Sequence, residues 1–357
     1  MTENKIDLYS MLPSEIEELL VGWGEQKFRA KQIFTWLSRG ASIDEMTNIS
    51  KPLRERLSAE TIDTLPRVEQ KLTSKIDGTV KYLFKLHDGA CIESVFMRYK
   101  HGNTLCISSQ VGCRMGCRFC ASTIGGKERD LLPSELIGQI IAAERDSGEK
   151  ISNVVMMGIG EPLDNYGNVI KFLRLVNIEG GLNIGYRHIS LSTCGVVPRI
   201  KELAGEEFPI TLSISLHAAN DEKRSAIMPI NNKWNIDELL DACVYYYKKT
   251  SRRISFEYTL IRSKNDTEED ARELATRLKA AFRGTGAPIH VNLIRVNEVE
   301  ETGFTKPSTE WANSFLKLLE RYGVTATLRR RLGTDVNAAC GQLRRSHKKN
   351  DEKEERL

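Results

Sequence analysis

Residues 104–123 read TLCISSQVGCRMGCRFCAST and carry the most informative cysteines of the chain. Cys113, Cys117 and Cys120 stand in a C-x3-C-x2-C spacing on a glycine-containing loop. Three thiolates so close together are able to bind three irons of a cubane iron–sulfur cluster, which usually takes four cysteine ligands. The remaining iron would be open, and a small molecule could chelate it.

Two other interpretations of these cysteines fit the sequence less well. A structural zinc site normally uses four ligands in paired spacings, and no second cysteine pair follows within range. A disulfide framework would require an oxidising compartment, of which the sequence shows no sign. The spacing therefore favours a 4Fe-4S cluster.

The composition of the 357 residues is that of a globular protein, with 40% hydrophobic residues and a mild net charge of +4. This length suits one large domain with a small one, or two domains. We find no run of about eighteen apolar residues that could span a membrane, and no apolar signal core at the start. We therefore expect a cytoplasmic protein with no membrane association.

The first part of the chain reads as helical. Ser14 is a candidate helix cap, and apolar residues recur at helical spacing within residues 30–37. A third, weaker helical pattern covers residues 43–57. These patterns predict a small helical accessory domain over residues 1–65.

The pattern then changes to the alternation that is typical of strands. Residues 79–86 and 91–98 read as two strands on either side of an Asp-Gly turn, which is a strong hairpin signal. Glu93 lies inside the second strand. We predict a β-hairpin linker over residues 66–98.

Strand and helix patterns alternate through residues 99–335. The predicted strands are residues 105–108, 153–157, 188–192, 210–215, 254–260 and 289–294, each followed by a helical pattern. Six βα units in series predict a parallel sheet. Residues 324–328 can add one more strand, and the pattern alone does not decide between an open sheet and a closed barrel.

Polar residues and glycines concentrate where these strands end. The segments are the cluster loop, GIGEP at 158–162, STCG at 192–195, SISLH at 213–217, and Asn297. Because the carboxyl ends of parallel strands meet at one rim, we expect these segments to converge. Taken singly, each has an ordinary structural explanation, such as a turn glycine or a satisfied core histidine.

Two further cysteines have informative surroundings. Cys340 lies in the segment AACGQL, whose small residues and glycine favour an accessible and reactive thiol. Cys106 lies on the first predicted strand of the core. We interpret Cys91, Cys194 and Cys243 as buried structural thiols. Residues 336–345 form the predicted cysteine loop, and residues 346–357 a charged, disordered tail.

The cysteine motif, with Phe119 before its last cysteine, resembles that of radical S-adenosylmethionine (SAM) enzymes. Over nearly the whole chain the sequence resembles the RlmN and Cfr family of radical SAM RNA methyltransferases. The matching blocks are FRAKQI at 28–33, CISSQVGC at 106–113, MGIGEP at 157–162, LSTCGVV at 191–197, SLHA at 215–218 and AACGQL at 338–343. The resemblance implies a partial (β/α)6, TIM-like barrel as the core.

The resemblance also implies the cofactors and their ligands. A 4Fe-4S cluster would be bound by Cys113, Cys117 and Cys120, and two SAM molecules would be used per turnover. The residues implied to contact SAM are Gly160, Glu161, Ser192, Ser215, Leu216, His217 and Asn297.

The resemblance implies radical chemistry at C2 of adenine. This carbon is electron-poor and is not a nucleophile, so ordinary methyl transfer from SAM cannot methylate it. Cys340 would first take a methyl group from SAM. A 5′-deoxyadenosyl radical would then remove hydrogen from this S-methyl group, and the resulting carbon radical would add to the base. Glu93 is the implied proton acceptor. Cys106 would release the product by forming a disulfide with Cys340.

Within the family, the sequence is similar to the branch that methylates adenosine C2 in 23S rRNA and in tRNA beside the anticodon. Arg295 departs from that pattern, and the C8-methylating, Cfr-like branch is the alternative. The implied partners are 23S rRNA, tRNA and a reductant such as flavodoxin or ferredoxin, with the protein a monomer. Phosphate contact is expected from some of the arginines and lysines at 114–129, 329–331 and 344–349.

Two other classes of function stay open at the level of sequence. A radical SAM enzyme that acts on a protein or a metabolite would need the three motif cysteines but would not explain Cys106 and Cys340. An iron–sulfur or zinc module could bind RNA without catalysis, and iron and sulfide analysis would distinguish it.

Overall fold

The computed structural model describes residues 5–336, 343–344 and 347, so most of the predicted segments 336–345 and 346–357 lies outside the described residues. The helices are α1 (Pro13–Gly22), α2 (Phe28–Leu37), α3 (Lys51–Glu60), α4 (Pro133–Ser147), α5 (Tyr166–Val176), α6 (Val197–Gly205), α7 (Asp221–Ile227), α8 (Ile236–Thr250), α9 (Glu268–Ala281) and α10 (Thr309–Arg321). Among the described helices, none has the length and apolar character needed to cross a membrane.

Twelve strands are present in the described residues. They are β1 (Arg67–Thr73), β2 (Val80–Lys85), β3 (Cys91–Tyr99), β4 (Gly102–Cys106), β5 (Gln110–Gly112), β6 (Lys127–Asp130), β7 (Asn153–Met156), β8 (Ile189–Thr193), β9 (Thr211–Ser215), β10 (Ile254–Leu260), β11 (His290–Arg295) and β12 (Thr325–Leu328).

Ten strands form one sheet in the order β1-β2-β3-β4-β7-β8-β9-β10-β11-β12, and β5 pairs with β6 in a separate ribbon. From β4 to β12 all neighbours are parallel. The predicted six βα units and the additional strand are therefore confirmed. Within the described residues β1 and β12 are the edge strands of this sheet and do not pair with each other, so the barrel is partial. The sequence pattern alone did not decide between an open sheet and a closed barrel.

The helices of the core follow the predicted apolar spacing, as α4 illustrates. Its buried face is formed by Leu136, Ile137, Ile140 and Ile141. At its start the Glu135 carboxylate accepts the N–H of Leu132 at 2.9 Å, and at its end Gly148 adopts a φ of 70°. These end contacts satisfy backbone groups that a helix leaves unpaired.

The N-terminal helices pack against the core through α4. The Asp7 carboxylate accepts the hydroxyl of Ser134 at 2.7 Å. The start of α1 differs from prediction, because Leu12 and not Ser14 occupies the cap position. Pro13 is the first helical residue, and the Glu15 carboxylate accepts the N–H of Leu12 at 2.6 Å.

The predicted hairpin is present, and its two strands belong to the ten-stranded sheet. β2 and β3 pair antiparallel, with Val80 opposite Phe96. β1 adds a strand on the far side of β2, while β3 also pairs with β4, the first strand of the barrel. Nearly all of β2 and β3 is buried, so these strands are stable only as part of a larger layered structure. Residues 66–98 therefore extend the core sheet.

Candidate active site

The loop that carries the three motif cysteines is supported by the β5–β6 ribbon. The N–H of Cys113 donates to the carbonyl of Gly126 at 2.9 Å. Gly112 has a φ of 78°, and a Cβ there would lie 2.0 Å from the Gly126 oxygen. Only glycine permits this approach, which directs the chain from β5 into the loop.

Cys113, Cys117 and Cys120 line one cavity of about 270 Å³. In the described part of the chain, no three His, Cys, Asp or Glu side chains form a group suited to a single metal ion. Three separated thiols around a shared cavity fit a cluster, in which each thiolate binds a different iron, better than they fit one zinc ion.

Burial controls the protonation of these thiols. It raises the pKa of Cys113 to about 12, with smaller contributions from the charges of Glu161 and Cys120. It also raises the pKa of Cys117 well above its ordinary value. Bound iron would supply the positive charge that stabilises the thiolates, because a metal deprotonates the thiol that coordinates it.

The loop after β7 brings Gly160 and Glu161 to the same cavity. Gly160 has a φ of 107°, and a Cβ there would lie 2.7 Å from the backbone nitrogen of Gln110. The glycine is thus required by packing against Gln110, a reason that the sequence did not reveal. The buried Glu161 carboxylate accepts the N–H groups of Cys194 at 2.7 Å and Leu163 at 3.0 Å, while burial raises its pKa.

Ser192, Ser215, His217 and Asn297 also line this cavity, as the convergence of strand ends predicts. Leu216 differs, because its side chain is packed in the hydrophobic core and is absent from the cavity lining. A contact between Leu216 and SAM, as the resemblance implies, would therefore have to use its backbone.

His217 is held in one tautomer. Its Nδ1 accepts the backbone N–H of Thr259 at 3.0 Å, so the ring proton is on Nε2. Burial lowers the pKa of His217 to about 3, with the Arg224 charge acting in the same direction. The rings of Phe119 and His217 are nearly perpendicular, with their centroids 5.1 Å apart. The histidine is therefore a neutral, rigid wall of the cavity.

The sequence interpretation missed Arg224, a fully buried side chain of α7. Its guanidinium donates to the carbonyls of Cys194 at 2.7 Å, Leu216 at 3.0 Å and Ser215 at 3.2 Å. It also donates to the Asn231 side chain at 3.0 Å. Arg224 thereby ties together the ends of β8 and β9, which carry the predicted SAM contacts.

We predict that Arg224→Ala lowers the free energy of unfolding of the cluster-free protein by about 3 kcal/mol or more, because it leaves several buried acceptors unpaired. Urea unfolding measures the difference. Arg272→Ala is the control, since this exposed arginine of α9 contacts Glu269 at the surface and its loss should change stability little. Equal stability of the two variants would contradict a structural role for Arg224.

Glu257 is a second residue that the sequence interpretation missed. It lies on β10, is 4% exposed and lines the cavity. Its carboxylate accepts the amide N–H of Asn292 at 2.7 Å and the hydroxyl of Ser255 at 3.1 Å. Burial raises its pKa, while the charge of Arg329 acts in the opposite direction. A glutamate in an alternating strand gives no sequence signal of such burial.

Cys106 lies at the carboxyl end of β4 and lines a second cavity, of about 300 Å³. The two cavities are adjacent, because both are lined by Met157, Ile294, Asn297 and Arg329. Cys340 lies outside the described residues.

Glu93 lines neither of these two cavities. It is buried on β3 and forms an ion pair with the equally buried Lys81 at 3.1 Å. It also accepts the backbone N–H of Arg344 at 2.6 Å. The structure thus places Glu93 against the segment that follows Cys340.

Comparison with known proteins agrees with this geometry. The Radical SAM superfamily matches residues 107–275, and the Ribosomal RNA large subunit methyltransferase N-terminal domain matches residues 6–62. A solved radical SAM methyltransferase from Sphaerobacter thermophilus superimposes with a TM-score of 0.88 at 41% identity, covering 94% of this chain and 98% of that chain. Fold and site therefore define a radical SAM enzyme, whose cofactors are a 4Fe-4S cluster and SAM.

The relatives narrow this class to one family. The probable dual-specificity RNA methyltransferase RlmN of Alkaliphilus oremlandii is 55% identical over 97% of this chain and 99% of its own length. The protein of the same description from Clostridium botulinum strain Eklund 17B is 53% identical over 96% of this chain and 98% of its own length. The chain belongs to the RlmN family of radical SAM RNA methyltransferases.

The cluster ligands are testable by iron content. Cys194 also lines the cavity and is buried, so it is the best control for the three motif cysteines. We predict that Cys117→Ala loses most of its iron, while Cys194→Ala retains about four irons per chain. Iron and sulfide analysis after anaerobic reconstitution measures both. Comparable loss in the two variants would contradict the three-ligand assignment.

Proposed function

We propose that this protein methylates C2 of adenosine in 23S rRNA and in tRNA, the dual specificity for which its relatives are named. The observation that supports this most directly is the position of Cys106 on the rim of a basic cavity that adjoins the cavity of the motif cysteines. A radical SAM enzyme for a small metabolite would not need a basic entrance of this kind. The C8-methylating alternative gains no support from the relatives.

When bound, the cluster supplies the electron that cleaves SAM, and SAM supplies the methyl group and the hydrogen-abstracting radical. The chain's own residues bind and orient these groups. Three thiolates would hold the cluster, and the neutral His217 and the buried Glu161 would border the bound SAM. Arg224 would hold the ends of β8 and β9 in position beside the bound SAM.

Cys340 would carry the methyl group to the base on its sulfur, and Cys106 would attack that sulfur to release the product. This role requires the segment around Cys340 to be anchored near Cys106. Before the segment, the Asp335 carboxylate accepts the Ser74 hydroxyl at 2.7 Å and the Lys75 N–H at 2.8 Å. These contacts connect it to the turn between β1 and β2.

The chain after Cys340 is anchored as well. The backbone of Arg344 donates to Glu93 at 2.6 Å, and its guanidinium donates to Glu128 of β6 at 2.6 Å. Glu93 therefore joins the strand next to Cys106 to the chain beyond Cys340. Glu93 is also the proposed proton acceptor. Its contact with Arg344 gives the buried Glu93–Lys81 pair a second, anchoring role.

RNA would enter through the cavity that contains Cys106. Its basic lining residues are Arg295, Lys306, Arg329, Arg330 and Arg331. A cluster of arginines and lysines attracts the phosphate backbone, independently of base sequence. The target adenosine would leave its stack to reach the inner cavity, as base-modifying enzymes require. The helical accessory domain, residues 1–65, is proposed to assist docking of the RNA.

The remaining proposals concern the setting of the reaction. We propose that the protein works as a cytoplasmic monomer, uses two SAM molecules per turnover and receives electrons from flavodoxin or ferredoxin. A reducing compartment suits the exposed iron and the thiols of Cys106 and Cys340.

Mass spectrometry of digested RNA tests this function. The reconstituted protein is incubated without oxygen with methyl-labelled SAM, dithionite, and either 23S rRNA or tRNA. Labelled 2-methyladenosine is expected in both RNAs. Labelled 8-methyladenosine would support the alternative branch, and the absence of any labelled nucleoside would overturn the proposal.

A further inference from the structure

The described surface carries a second basic groove, of about 660 Å³, which the reaction described above does not use. Its lining residues come from the cluster loop, the loop after β7, the start of α6 and the segment between α7 and α8. We call it the cluster-side groove. Its characteristic residues are Arg114, Met115, Arg199, Pro229, Lys233 and Trp234.

The cluster-side groove is separated from the motif cysteines by a thin wall. Met115, which stands between the first two of these cysteines, lines both the groove and the inner cavity. Pro229 of the groove lies 3.5 Å from the position that a Cβ on Gly116 would occupy. A protein bound in the groove would therefore come close to the cluster, with about one layer of side chains between them.

The charge of the groove is positive. Its lining includes Arg114, Arg199 and Lys233 against one acidic residue, Asp164. Arg114 pairs with Asp164 and Arg199 with Glu202, whereas the exposed Lys233 forms no ion pair with the other described residues. The ammonium of Lys233 lies 4.5 Å from the centre of the Trp234 ring. Arginine, lysine and an amphipathic aromatic side chain are a combination suited to an acidic protein surface.

The cluster-side groove and the cavity with Cys106 are lined by different residues, with no residue common to both. Each is nevertheless adjacent to the inner cavity, through Met115 on one side and through Met157 and Arg329 on the other. RNA that entered at the Cys106 side would therefore contact a different set of residues from those that line the groove.

We propose that the cluster-side groove is the docking site for the electron donor, and that of the two donors named under the proposed function it takes flavodoxin, an acidic flavoprotein. One electron passes from the reduced flavin to the cluster, so the flavin is oxidised and the cluster reduced, and no bond is formed or broken. The apolar surfaces of Met115, Pro229 and Trp234 suit the flat edge of a flavin. This inference rests on the proposed function for the choice of donor and for the methylation assay below.

Charge reversal at Lys233 separates docking from catalysis. With reduced flavodoxin as donor, Lys233→Glu should lower the methylation rate at limiting flavodoxin about tenfold or more, because like charges then oppose encounter. With dithionite, which needs no docking surface, its rate should match the parent within about twofold. Isothermal titration calorimetry should show a matching loss of flavodoxin affinity, and Lys233→Arg should restore both.

Two matched variants complete the experiment. Lys249→Glu reverses an exposed charge at the opposite end of α8 and should behave as the parent in every assay. Arg330→Glu, in the RNA cavity, should lose activity with both reductants and bind flavodoxin normally. If Lys233→Glu loses activity equally with dithionite, the groove contacts RNA and the proposal is overturned. Unchanged flavodoxin affinity, or tighter binding of a ferredoxin, would also overturn it.

A failure of the proposed function would look different. In that case the parent protein would not methylate RNA with either reductant, whereas the calorimetric comparison of Lys233→Glu with Lys249→Glu would still test the docking surface. RNA methylation and the docking of flavodoxin in the groove are therefore tested by separate measurements.

Discussion

Replacing Cys340 with alanine is expected to lower RNA methylation at least about a thousandfold, because alanine has no sulfur to carry the methyl group. Reductive cleavage of SAM should continue in this variant, since the motif cysteines and the inner cavity are unchanged. Mass spectrometry of digested RNA measures the first effect, and chromatography of 5′-deoxyadenosine measures the second.

Cys243→Ala is the matched control for this substitution. Cys243 is fully buried on α8, packs in the hydrophobic core and lines neither active-site cavity. Its replacement removes a sulfur of the same kind at a small cost in packing and should leave methylation nearly intact. Methylation that persists in Cys340→Ala would exclude Cys340 as the methyl carrier.

Replacing Cys106 with alanine is expected to produce a different defect of similar size. The base would still be attached through the Cys340 sulfur, but no thiol would be present to release it. A covalent protein–RNA adduct should therefore accumulate, visible as a slow band on a denaturing gel, and free methylated RNA should fall to traces.

The combined variant Cys106→Ala/Cys340→Ala is the control for the adduct. It should form none, because the attachment itself depends on Cys340. Free methylated RNA at the normal rate from Cys106→Ala, with no adduct, would mean that another group resolves the intermediate. An adduct in the combined variant would place the attachment on a different residue.

The order of strands and helices could be predicted because each βα unit has a local pattern. Strands of the barrel read as short apolar runs and helices such as α4 show apolar residues every three or four positions. Boundaries were less predictable. Leu12, rather than Ser14, occupies the cap position of α1, because a proline and a glutamate further along determine the start.

The position of residues 66–98 in the sheet was not predictable from local pattern. An alternating hairpin looks the same whether it links two domains or extends a sheet. The pairing of β3 with β4 depends on hydrogen bonds between segments that the alternation of either strand does not specify.

The sequence by itself determined the three-cysteine motif, the βα order and the likeness to a methyltransferase family, because these depend on residue type and spacing along the chain. Only the tertiary structure revealed Arg224 beneath the strand ends, Glu257 in the cavity wall and Glu93 against Arg344. The burial of a charged side chain depends on which distant segments cover it. Its partners are carbonyls, amides and charges from other elements, and no pattern of neighbouring residues encodes them.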